Sequence, residues 1–315
     1  MSSARAFTAL GALLLALAPA TAQETRGPNG FDLSRARVPV AEIVAGGPPR
    51  DGIKSVDAPE LVAPEEASWV APRNPVLGVA LGEDAHTYPV HLMEHHQIVN
   101  DQLGDVPVVV TYDPLAGAPR AYRREVEGRT LEFGVSGLVY NHNFLLYDRQ
   151  TQSLWVQFTG EAISGAYAGK RLASLRIRQE VLGTWLSRNP RARVLARPLP
   201  RAIDYRYSPF LAYITQDATL FPVKARDASY HAKEVVLGVV VDGTTRAYLG
   251  SIVTAAGGEV QDEVAGRKIR FVYDTNEAVF SYDAPEDVRV AEAYWLAWKA
   301  FHPDTEIWRP AASSP

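Results

Sequence analysis

The sequence predicts an α+β fold of two tandem, related β-rich units. Each unit is expected to be a partly barrel-like set of antiparallel strands with a helix crossing one face. The first observation is a repeat, because Val76-Leu77-Gly78-Val79 recurs as Val236-Leu237-Gly238-Val239 and Tyr88 recurs as Tyr248 at the same spacing. The second is a series of short β-branched runs separated by turn residues, a pattern typical of antiparallel hairpins. The third is a block near residues 135–181 that has no counterpart in the second copy, which predicts an insertion in the first unit.

The chain divides into four predicted parts. Residues 1–22 have the pattern of a secretory signal peptide: Arg5 precedes an apolar run too short to span a bilayer, and Ala20-Thr21-Ala22 is a small-residue cleavage signal. The other parts are an extended lead-in at 23–75 that packs on the first unit, the first unit at 76–200 and the second unit at 205–311. We therefore expect a soluble protein that is exported, to the periplasm or the medium, after cleavage near Ala22.

The elements of the first unit follow from turn residues and spacing. Gly82-Glu83-Asp84 separates two strands of a predicted hairpin, and Pro89 suits the first position of a helix. Apolar residues at helical spacing extend that helix from Val90 to Leu103. Further strands are predicted at Val106–Tyr112, Ala121–Glu125 and Thr130–Val135, and a short helix at Pro64–Trp69.

The insertion and the second copy are predicted in the same way. Leu138–Asp148 and Ser153–Thr159 form a predicted hairpin around Arg149-Gln150-Thr151-Gln152, and Val181–Ser187 is a short helix. A linker at Arg197–Ser208 joins the copies. The second copy ends in a predicted amphipathic helix, Val288–Phe301.

Composition excludes several classes of function. The chain has 315 residues and no cysteine, which excludes thiol redox chemistry, disulfides and a lipoprotein anchor. The formal net charge of −4, without a basic face, argues against nucleic-acid binding. No segment after the first 22 residues is long and apolar enough to cross a membrane.

One short motif has the pattern of a zinc peptidase. His91, Glu94 and His95 spell His-x-x-Glu-His, in which two histidines on one helical face would bind zinc and the glutamate would act as the base. The alternative interpretation is a solvated helix face with one inward histidine.

A second polar group lies in the inserted block. Strand alternation places Asn141 and Asn143 on one side and Tyr140 and His142 on the other. Asp148, Arg149 and Trp155 follow around the predicted turn. The group predicts a polar pocket for an anion or small polar ligand, and the alternative is that Asp148 and Arg149 form an ion pair that stabilises the turn.

A resemblance rests on seven blocks that occur in the following order: GGPPRDGI, VLGV, HHQIVND, VTYDPLAG, LEFGVSGLVYNHNFLLYDRQTQSLW, TGEAISG and FPVKARD. Together they resemble the bacterial and archaeal family filed as domain of unknown function 3179, over nearly the whole chain after the leader. The resemblance implies no settled activity. It implies that His96 corresponds to a family histidine and Asn100-Asp101 to a family pair.

The chain departs from this family at its central motif. The family typically shows Cys-Pro-Leu-Cys-Gly, with selenocysteine in some members, whereas this chain has Asp113 and Ala116 at the two cysteine positions. The resemblance therefore implies that a pair suited to redox chemistry or a soft metal has been lost. Asp113 also matches Asp274 of the second copy. His91, His95 and His142 are departures from the family pattern as well.

These observations predict an exported ligand- or partner-binding scaffold with a degenerate redox or metal site. The predicted partner is a small polar ligand or a protein. The candidate binding residues are His96, Asn100, Asp101, Asp113, Asn141, Asn143, Asp148, Arg149 and Trp155. The alternative is a metalloprotein or metal-dependent enzyme that uses His96, Asp113 and the Asn141–Arg149 block. In that case a divalent metal is the candidate cofactor, held by Asp113, His96 and His142 or His95.

Overall fold

The protein is described by a computed structural model that covers residues 27–197 and 203–311. The predicted signal peptide lies outside the described residues. The described chain is mostly β, with 41% strand and 14% helix, and its antiparallel sheets take a propeller-like arrangement. Within the described residues, no helix is long and apolar enough to cross a membrane.

The strands before the 198–202 gap are β1 (Ile43–Ala45), β2 (Val56–Asp57), β3 (Leu61–Val62), β4 (Pro75–Leu81), β5 (Asp84–Pro89), β6 (Ile98–Leu103), β7 (Val106–Asp113), β8 (Ala118–Arg123), β9 (Glu125–Val126), β10 (Arg129–Thr130), β11 (Phe133–Tyr140), β12 (Asn143–Asp148), β13 (Leu154–Val156), β14 (Ala162–Ser164), β15 (Ser174–Leu175), β16 (Arg178–Val181) and β17 (Arg193–Leu195). The strands after it are β18 (Val235–Val241), β19 (Thr244–Leu249), β20 (Glu259–Val264), β21 (Arg267–Asp274), β22 (Val279–Asp283), β23 (Arg289–Tyr294) and β24 (Glu306–Ile307). The α-helices are α1 (Val90–His96), α2 (Leu182–Arg188), α3 (Leu211–Ile214), α4 (Gly250–Ala255) and α5 (Trp295–Phe301), and 3-10 turns lie at Pro28–Gly30, Val40–Glu42 and Pro64–Glu66.

The first hairpin, β4 and β5, is the centre of a sheet with the order β16-β4-β5-β17-β3. Strand β17 runs parallel to β5, and the other pairs are antiparallel. Gly78 of β4 lies against the indole of Trp185 from α2, where a Cβ would be 2.5 Å from the ring. The Trp185 Nε1 donates to Thr87 Oγ1 of β5 at 2.9 Å, which fixes the helix on this sheet.

The helix predicted from Val90 to Leu103 ends at His96, so the prediction is wrong for its second half. Gln97 adopts a left-handed backbone with a φ of 60°, and Ile98–Leu103 continues as β6, paired with β7. Ile98 and Val99 are fully buried in different cores, as alternation along a strand requires. The helical spacing of the apolar residues was coincidental, because pairing with β7 decides the backbone here.

Some features of the sheet around β4 and β5 recur after residue 234. Strands β18 and β19 form a hairpin in a sheet with the order β23-β18-β19-β24, and β24 runs parallel to β19 as β17 does to β5. Gly238 lies against the ring of Trp298, whose Nε1 donates to Thr305 Oγ1 at 3.0 Å. The three-stranded sheet β20-β21-β22 has the antiparallel order of β6-β7-β8.

The long helix predicted at Val288–Phe301 is also wrong in part. Its first half is β23, which pairs with β18 from Val235 opposite Tyr294 to Val240 opposite Arg289. Only Trp295–Phe301 is helical, and its Trp295 and Trp298 are fully buried. Pairing with β18 makes this stretch a strand, although the spacing of its apolar residues alone predicted a helix.

The inserted block forms a sheet with the order β1-β11-β12-β13-β14. Its faces alternate: Leu145 and Tyr147 belong to a core that includes Trp298, whereas Phe144 and Leu146 belong to a core that includes Val109. One face of the sheet therefore packs against α5 and the β18–β19 hairpin, and the other face packs against strands β6, β7 and β8. Arg178–Val181, at the end of the predicted block, pairs instead with β4.

The strand predicted across Leu138–Asp148 is two strands, so this prediction is corrected. Asn141 and His142 are the two turn residues between β11 and β12, with φ values of 50° and 60°. Two left-handed residues are the requirement of the tight hairpin turn whose twist matches the strands, and asparagine tolerates that backbone. Strands β12 and β13 pair around residues 149–152, as predicted.

Candidate functional site

The candidate site centres on the turn between β7 and β8, where Asp113 ends one strand and Ala118 begins the next. Asp113 is fully buried. Its Oδ1 accepts hydrogen bonds from the backbone N–H groups of Leu115 (2.9 Å) and Ala116 (3.3 Å). An aspartate that accepts from the backbone N–H groups two and three residues later is a common way to close a turn.

The second oxygen of Asp113 connects the turn to the inserted sheet. Oδ2 accepts from Asn143 Nδ2 at 2.7 Å and from the backbone N–H of Phe144 at 2.9 Å. Asn143 Nδ2 also donates to Gln157 Oε1 at 2.9 Å, and Gln157 Nε2 donates to Thr111 Oγ1 at 2.9 Å. The side chains of this network are buried and bonded to one another, so the network holds the turn against β12.

The charge of Asp113 is shaped by two opposing effects. Burial raises the pKa of this carboxyl to about 6, and the hydrogen bonds from Phe144, Leu115, Ala116 and Asn143 oppose the increase. Near neutral pH the carboxylate is therefore charged, and four N–H donors replace the water that it has lost.

A histidine and a tyrosine cover the other side of the turn. The Tyr213 hydroxyl donates to the carbonyl of Leu115 at 2.9 Å, and His142 Nε2 lies 2.8 Å from that hydroxyl. The backbone N–H of Phe221 lies 3.3 Å from His142 Nδ1. Burial lowers the pKa of His142, which favours the neutral ring, and Nδ1 also lies 3.0 Å from the carbonyl oxygen of Phe221.

Tyr213 and Phe221 belong to a long segment, residues 203–234, that runs over the turn. We call it the covering segment. Lys224 fastens it further, since its backbone N–H donates to Asn141 Oδ1 at 2.8 Å while Asn141 Nδ2 donates to the carbonyl of Ala300 at 3.0 Å. Asn141 thus ties the β11–β12 turn to two other parts of the chain.

A cavity of about 290 Å³ lies between the turn and the covering segment. Most of its lining is apolar, including Leu115 of the turn, Phe144 of β12 and Phe221 of the covering segment. Gln97 and Tyr213 add polar side chains to the lining. A left-handed backbone is costly for glutamine, and such outliers are typical of functional sites.

Asn100 and Arg149 meet at a different place, through Asp57 of β2. Asn100 Nδ2 donates to Asp57 Oδ1 at 2.7 Å, and Arg149 Nη1 donates to Asp57 Oδ2 at 2.8 Å. Asn100 also exchanges hydrogen bonds with both backbone groups of Phe133. These residues connect the lead-in to β6 and β11, which is a structural role.

Asp148 and Trp155 form a contact of their own. Trp155 Nε1 donates to Asp148 Oδ2 at 2.9 Å, and the backbone N–H of Thr151 donates to Asp148 Oδ1 at 2.6 Å. Asp148 therefore caps the β12–β13 turn by bonding Thr151, while Arg149 pairs with Asp57 instead. The predicted ion pair between Asp148 and Arg149 does not match these contacts.

Asp101 has a role that recurs elsewhere in the chain. Its Oδ2 accepts from the Tyr88 hydroxyl at 2.7 Å and lies 2.8 Å from His86 Nδ1. Asp262 accepts from the Tyr248 hydroxyl at the same distance. Because the same hydrogen bond is made from the β4–β5 hairpin and from the β18–β19 hairpin, we infer that Asp101 has a structural role in the fold.

The histidines of α1 are occupied by different partners. His96 bonds the carbonyl of Lys54 through Nδ1 at 2.8 Å and the Tyr205 hydroxyl through Nε2 at 2.7 Å. His95 Nε2 lies 3.1 Å from the carbonyl of Tyr207. His91 packs edge-on against Trp69, and burial lowers the pKa of His91 to about 4.

The predicted metal donors do not fit a metal ion in this arrangement. Within residues 27–197 and 203–311, no group of three or more His, Asp or Glu side chains is placed to hold one. His96 and His142 already use both ring nitrogens, and Asp113 uses both oxygens. Glu94, the predicted base, is largely buried, and burial raises its pKa.

Three residues that line the cavity, Gln97, Tyr213 and Phe221, are not among the candidates that the sequence predicts. Gln97 lies in the HHQIVND block but was predicted to be inside a helix, so its unusual backbone was hidden. Tyr213 and Phe221 lie just past the predicted linker. The sequence does carry one signal that these residues belong to a packed segment. Five aromatic residues occur there within a short stretch: Tyr205, Tyr207, Phe210, Tyr213 and Phe221.

The fold and the site define a class: a β-rich protein with a buried polar turn, a covering segment and an apolar cavity between them. The chain belongs to the family described as Protein of unknown function (DUF3179), whose model matches residues 50–286. The resemblance seen in the sequence blocks is thereby confirmed, and the cysteine-free central motif stands as a variant within the family. No curated protein matches the chain. No solved structure matches it either.

Proposed function

We propose that this chain is an exported ligand-binding protein whose site is the cavity between the Asp113 turn and the covering segment. The observation that carries the proposal is the cavity itself, about 290 Å³ in volume and walled by Leu115 on one side and by Phe210 and Phe221 on the other. That volume suits a small molecule. Export is supported by the leader pattern of residues 1–22.

Access to the cavity is supported by the covering segment. Leu220 lines the cavity and is 59% exposed, so the cavity reaches the surface beside this residue. Tyr207 and Leu211 of the same segment are 69% and 63% exposed. Exposed apolar side chains beside a cavity are typical of a binding surface.

The lining favours a ligand with an apolar body over the small polar ligand predicted from the sequence. The Gln97 amide and the Tyr213 hydroxyl are the polar side-chain groups of the lining, and the rest of the wall is apolar or backbone. A ligand that fills the cavity and bonds one of these groups gains both burial and orientation.

Binding without redox chemistry is supported by the turn. At the positions where the family resemblance implies two cysteines, Asp113 satisfies four backbone and amide donors and Ala116 is fully buried. We also propose that the two hairpin regions are related units. The second keeps the scaffold, including Asp274 in the place of Asp113, without the inserted sheet.

The test is fluorescence titration with the neutral probe N-phenyl-1-naphthylamine. We expect Leu115→Trp, which adds volume inside the cavity, to weaken binding of the probe about tenfold or more, a free-energy change of roughly 1.4 kcal/mol. The matched control is Leu211→Trp, because Leu211 is exposed on the covering segment and does not line the cavity. It should bind the probe as wild type does, and both variants should keep the wild-type melting temperature. Equal affinity in all three proteins, or no binding to wild type, would contradict the proposal.

A further inference from the structure

A second cavity, of about 410 Å³, also lies beside the Asp113 turn. Its walls come from three parts of the chain. Tyr112 and Gly117 come from the turn and its strand, Glu292 and Tyr294 come from β23, and Ile214 belongs to the covering segment. It is therefore built where the two hairpin regions and the covering segment meet, and the cavity described above does not share these residues.

Two side-chain oxygens at this cavity have no hydrogen-bond partner among the described residues. They are Glu292 Oε2 and Gln179 Oε1. Glu292 is only 4% exposed, and both residues line the cavity. A buried acceptor without a donor is costly, so such groups call for an explanation.

The carboxyl of Glu292 also has no direct counterion among the described residues. The guanidinium of Arg120 is near, but its Nη1 donates to the main-chain carbonyl of Glu292 at 3.1 Å and its Nε to the carbonyl of Phe158. The neighbouring Glu180 adds a like charge. Burial raises the pKa of Glu292 well above its ordinary value, although the backbone N–H groups of Phe280 and Gln179 and the charge of Arg120 oppose the increase.

The rest of the lining is suited to a positive charge. Tyr112, Tyr273 and Tyr294 present three aromatic rings, and burial keeps these phenols neutral by raising their pKa values. Ring faces attract cations, most strongly where water is excluded. Glu234 and Glu277 add two further carboxylates to that of Glu292.

One lysine lines the cavity and has other partners. The ammonium of Lys233 donates to the carbonyls of Gln216 and Ala218 and lies 4.2 Å from the centre of the Tyr213 ring. The lining holds three glutamates, one lysine and one histidine, and one of the glutamates, Glu277, is paired with Arg73 at 3.1 Å. Lys233 therefore donates no hydrogen bond to the unpartnered oxygens of Glu292 and Gln179.

We propose that this cavity binds a small primary ammonium ion, whose N–H groups bond Glu292 Oε2 and Gln179 Oε1 and whose charge lies among the tyrosines. A primary ammonium supplies both things that the site lacks, hydrogen-bond donors and a positive charge. A neutral alcohol supplies one donor and no charge, and a quaternary ammonium supplies charge and no donor.

The experiment is calorimetric titration of the full-length protein near neutral pH with n-butylammonium chloride, with 1-butanol and tetramethylammonium chloride as the two probes that each lack one feature. We expect the primary ammonium to bind at least tenfold more tightly than either. Glu292→Gln keeps the size of the side chain but cannot take on the negative charge that pairs with a bound ammonium ion, and it should weaken binding of n-butylammonium at least tenfold. Glu286→Gln is the matched control, because Glu286 is exposed and lies outside the cavity lining, and it should leave binding unchanged.

A second variant keeps the proposal testable if Glu292→Gln fails to fold. Tyr273→Leu removes one ring from the wall and should weaken binding severalfold, whereas Tyr273→Phe keeps the ring and should retain most of the affinity. The proposal is overturned if n-butylammonium and 1-butanol bind equally, or if folded Glu292→Gln binds as wild type does. These outcomes are independent of the naphthylamine titration, since the two cavities and their variants differ.

Discussion

Replacing Asp113 with alanine is expected to lower the free energy of unfolding by about 4 kcal/mol, the largest effect of any single change that we predict. The substitution removes both oxygens of a fully buried carboxylate. It leaves the backbone N–H groups of Leu115 and Phe144 and one N–H of the Asn143 amide without an acceptor, whereas the Ala116 N–H keeps its bond to the main-chain carbonyl of residue 113. Buried donors that lose a charged partner cannot recover it from water, so the loss exceeds that of an ordinary hydrogen bond. Urea unfolding followed by circular dichroism measures it.

The chain contains a matched control for this substitution. Asp274 ends β21 as Asp113 ends β7, and its Oδ1 accepts from the backbone N–H groups of Asn276 (2.9 Å) and Glu277 (3.3 Å). Its side chain is 34% exposed and its other oxygen meets Arg73, itself 60% exposed. Asp274→Ala should therefore cost only about 1 kcal/mol, since water replaces what is lost. Equal losses in the two variants would show that burial of the Asp113 network adds nothing.

Asp113 should also affect how the free energy of unfolding depends on pH. Its pKa is about 6 in the folded protein, above the 3.8 of an unburied aspartate. Between those values the folded chain binds more protons than the unfolded chain, so this group's contribution is present at low pH and is lost as the pH rises through about 6. The stability gap between wild type and Asp113→Ala should therefore narrow from pH 4 to pH 7, which unfolding titrations at several pH values measure. A constant gap would contradict the assigned pKa.

The parts of the fold that sequence predicts well are those in which one local signal dominates. The hairpins at β4–β5 and β18–β19 are marked by β-branched runs around short turns, and the structure has them where the repeat places them. The two long helices failed for a shared reason. In Val90–Leu103 and in Val288–Phe301 the apolar spacing fits one continuous helix, but about half of each segment is a strand whose backbone is decided by pairing with a neighbouring strand.

The candidate site could be predicted only in part from sequence. Asn143 does contact Asp113, and the inserted sheet does lie against that turn. Asn141, Asp148 and Arg149 bond elsewhere, because a two-residue turn at Asn141-His142 reverses the chain where an unbroken strand was expected. The covering segment could not be inferred at all. Its contacts with the turn join residues nearly one hundred positions apart, as between Tyr213 and Leu115, and no local pattern encodes them.

The second large effect is expected at Gly238, in the middle of β18. A Cβ at this position would overlap three ring atoms of Trp298, and that indole is fully buried. The ring cannot move aside, because its Nε1 is bonded to Thr305 and its face lies 4.0 Å, centre to centre, from His302. Gly238→Ala should therefore lower the free energy of unfolding by about 3 kcal/mol, although it adds one methyl group.

The effect of Gly238→Ala should reach the candidate site through one aromatic contact. Trp298 packs near Phe158, and the backbone N–H of Phe158 donates to Asn143 Oδ1 at 2.8 Å, within the Asp113 network. Gly183→Ala is the control, because the nearest atom to a Cβ there is 3.4 Å away and alanine favours the helix α2. Thermal and urea unfolding of both variants compares them, and Gly183→Ala should be neutral or more stable by up to about 1 kcal/mol. An unchanged free energy of unfolding for Gly238→Ala would mean that β18 and Trp298 are packed less tightly than the structure shows. The proposed coupling from the β18–β19 hairpin through Trp298 to the Asp113 turn would then be contradicted.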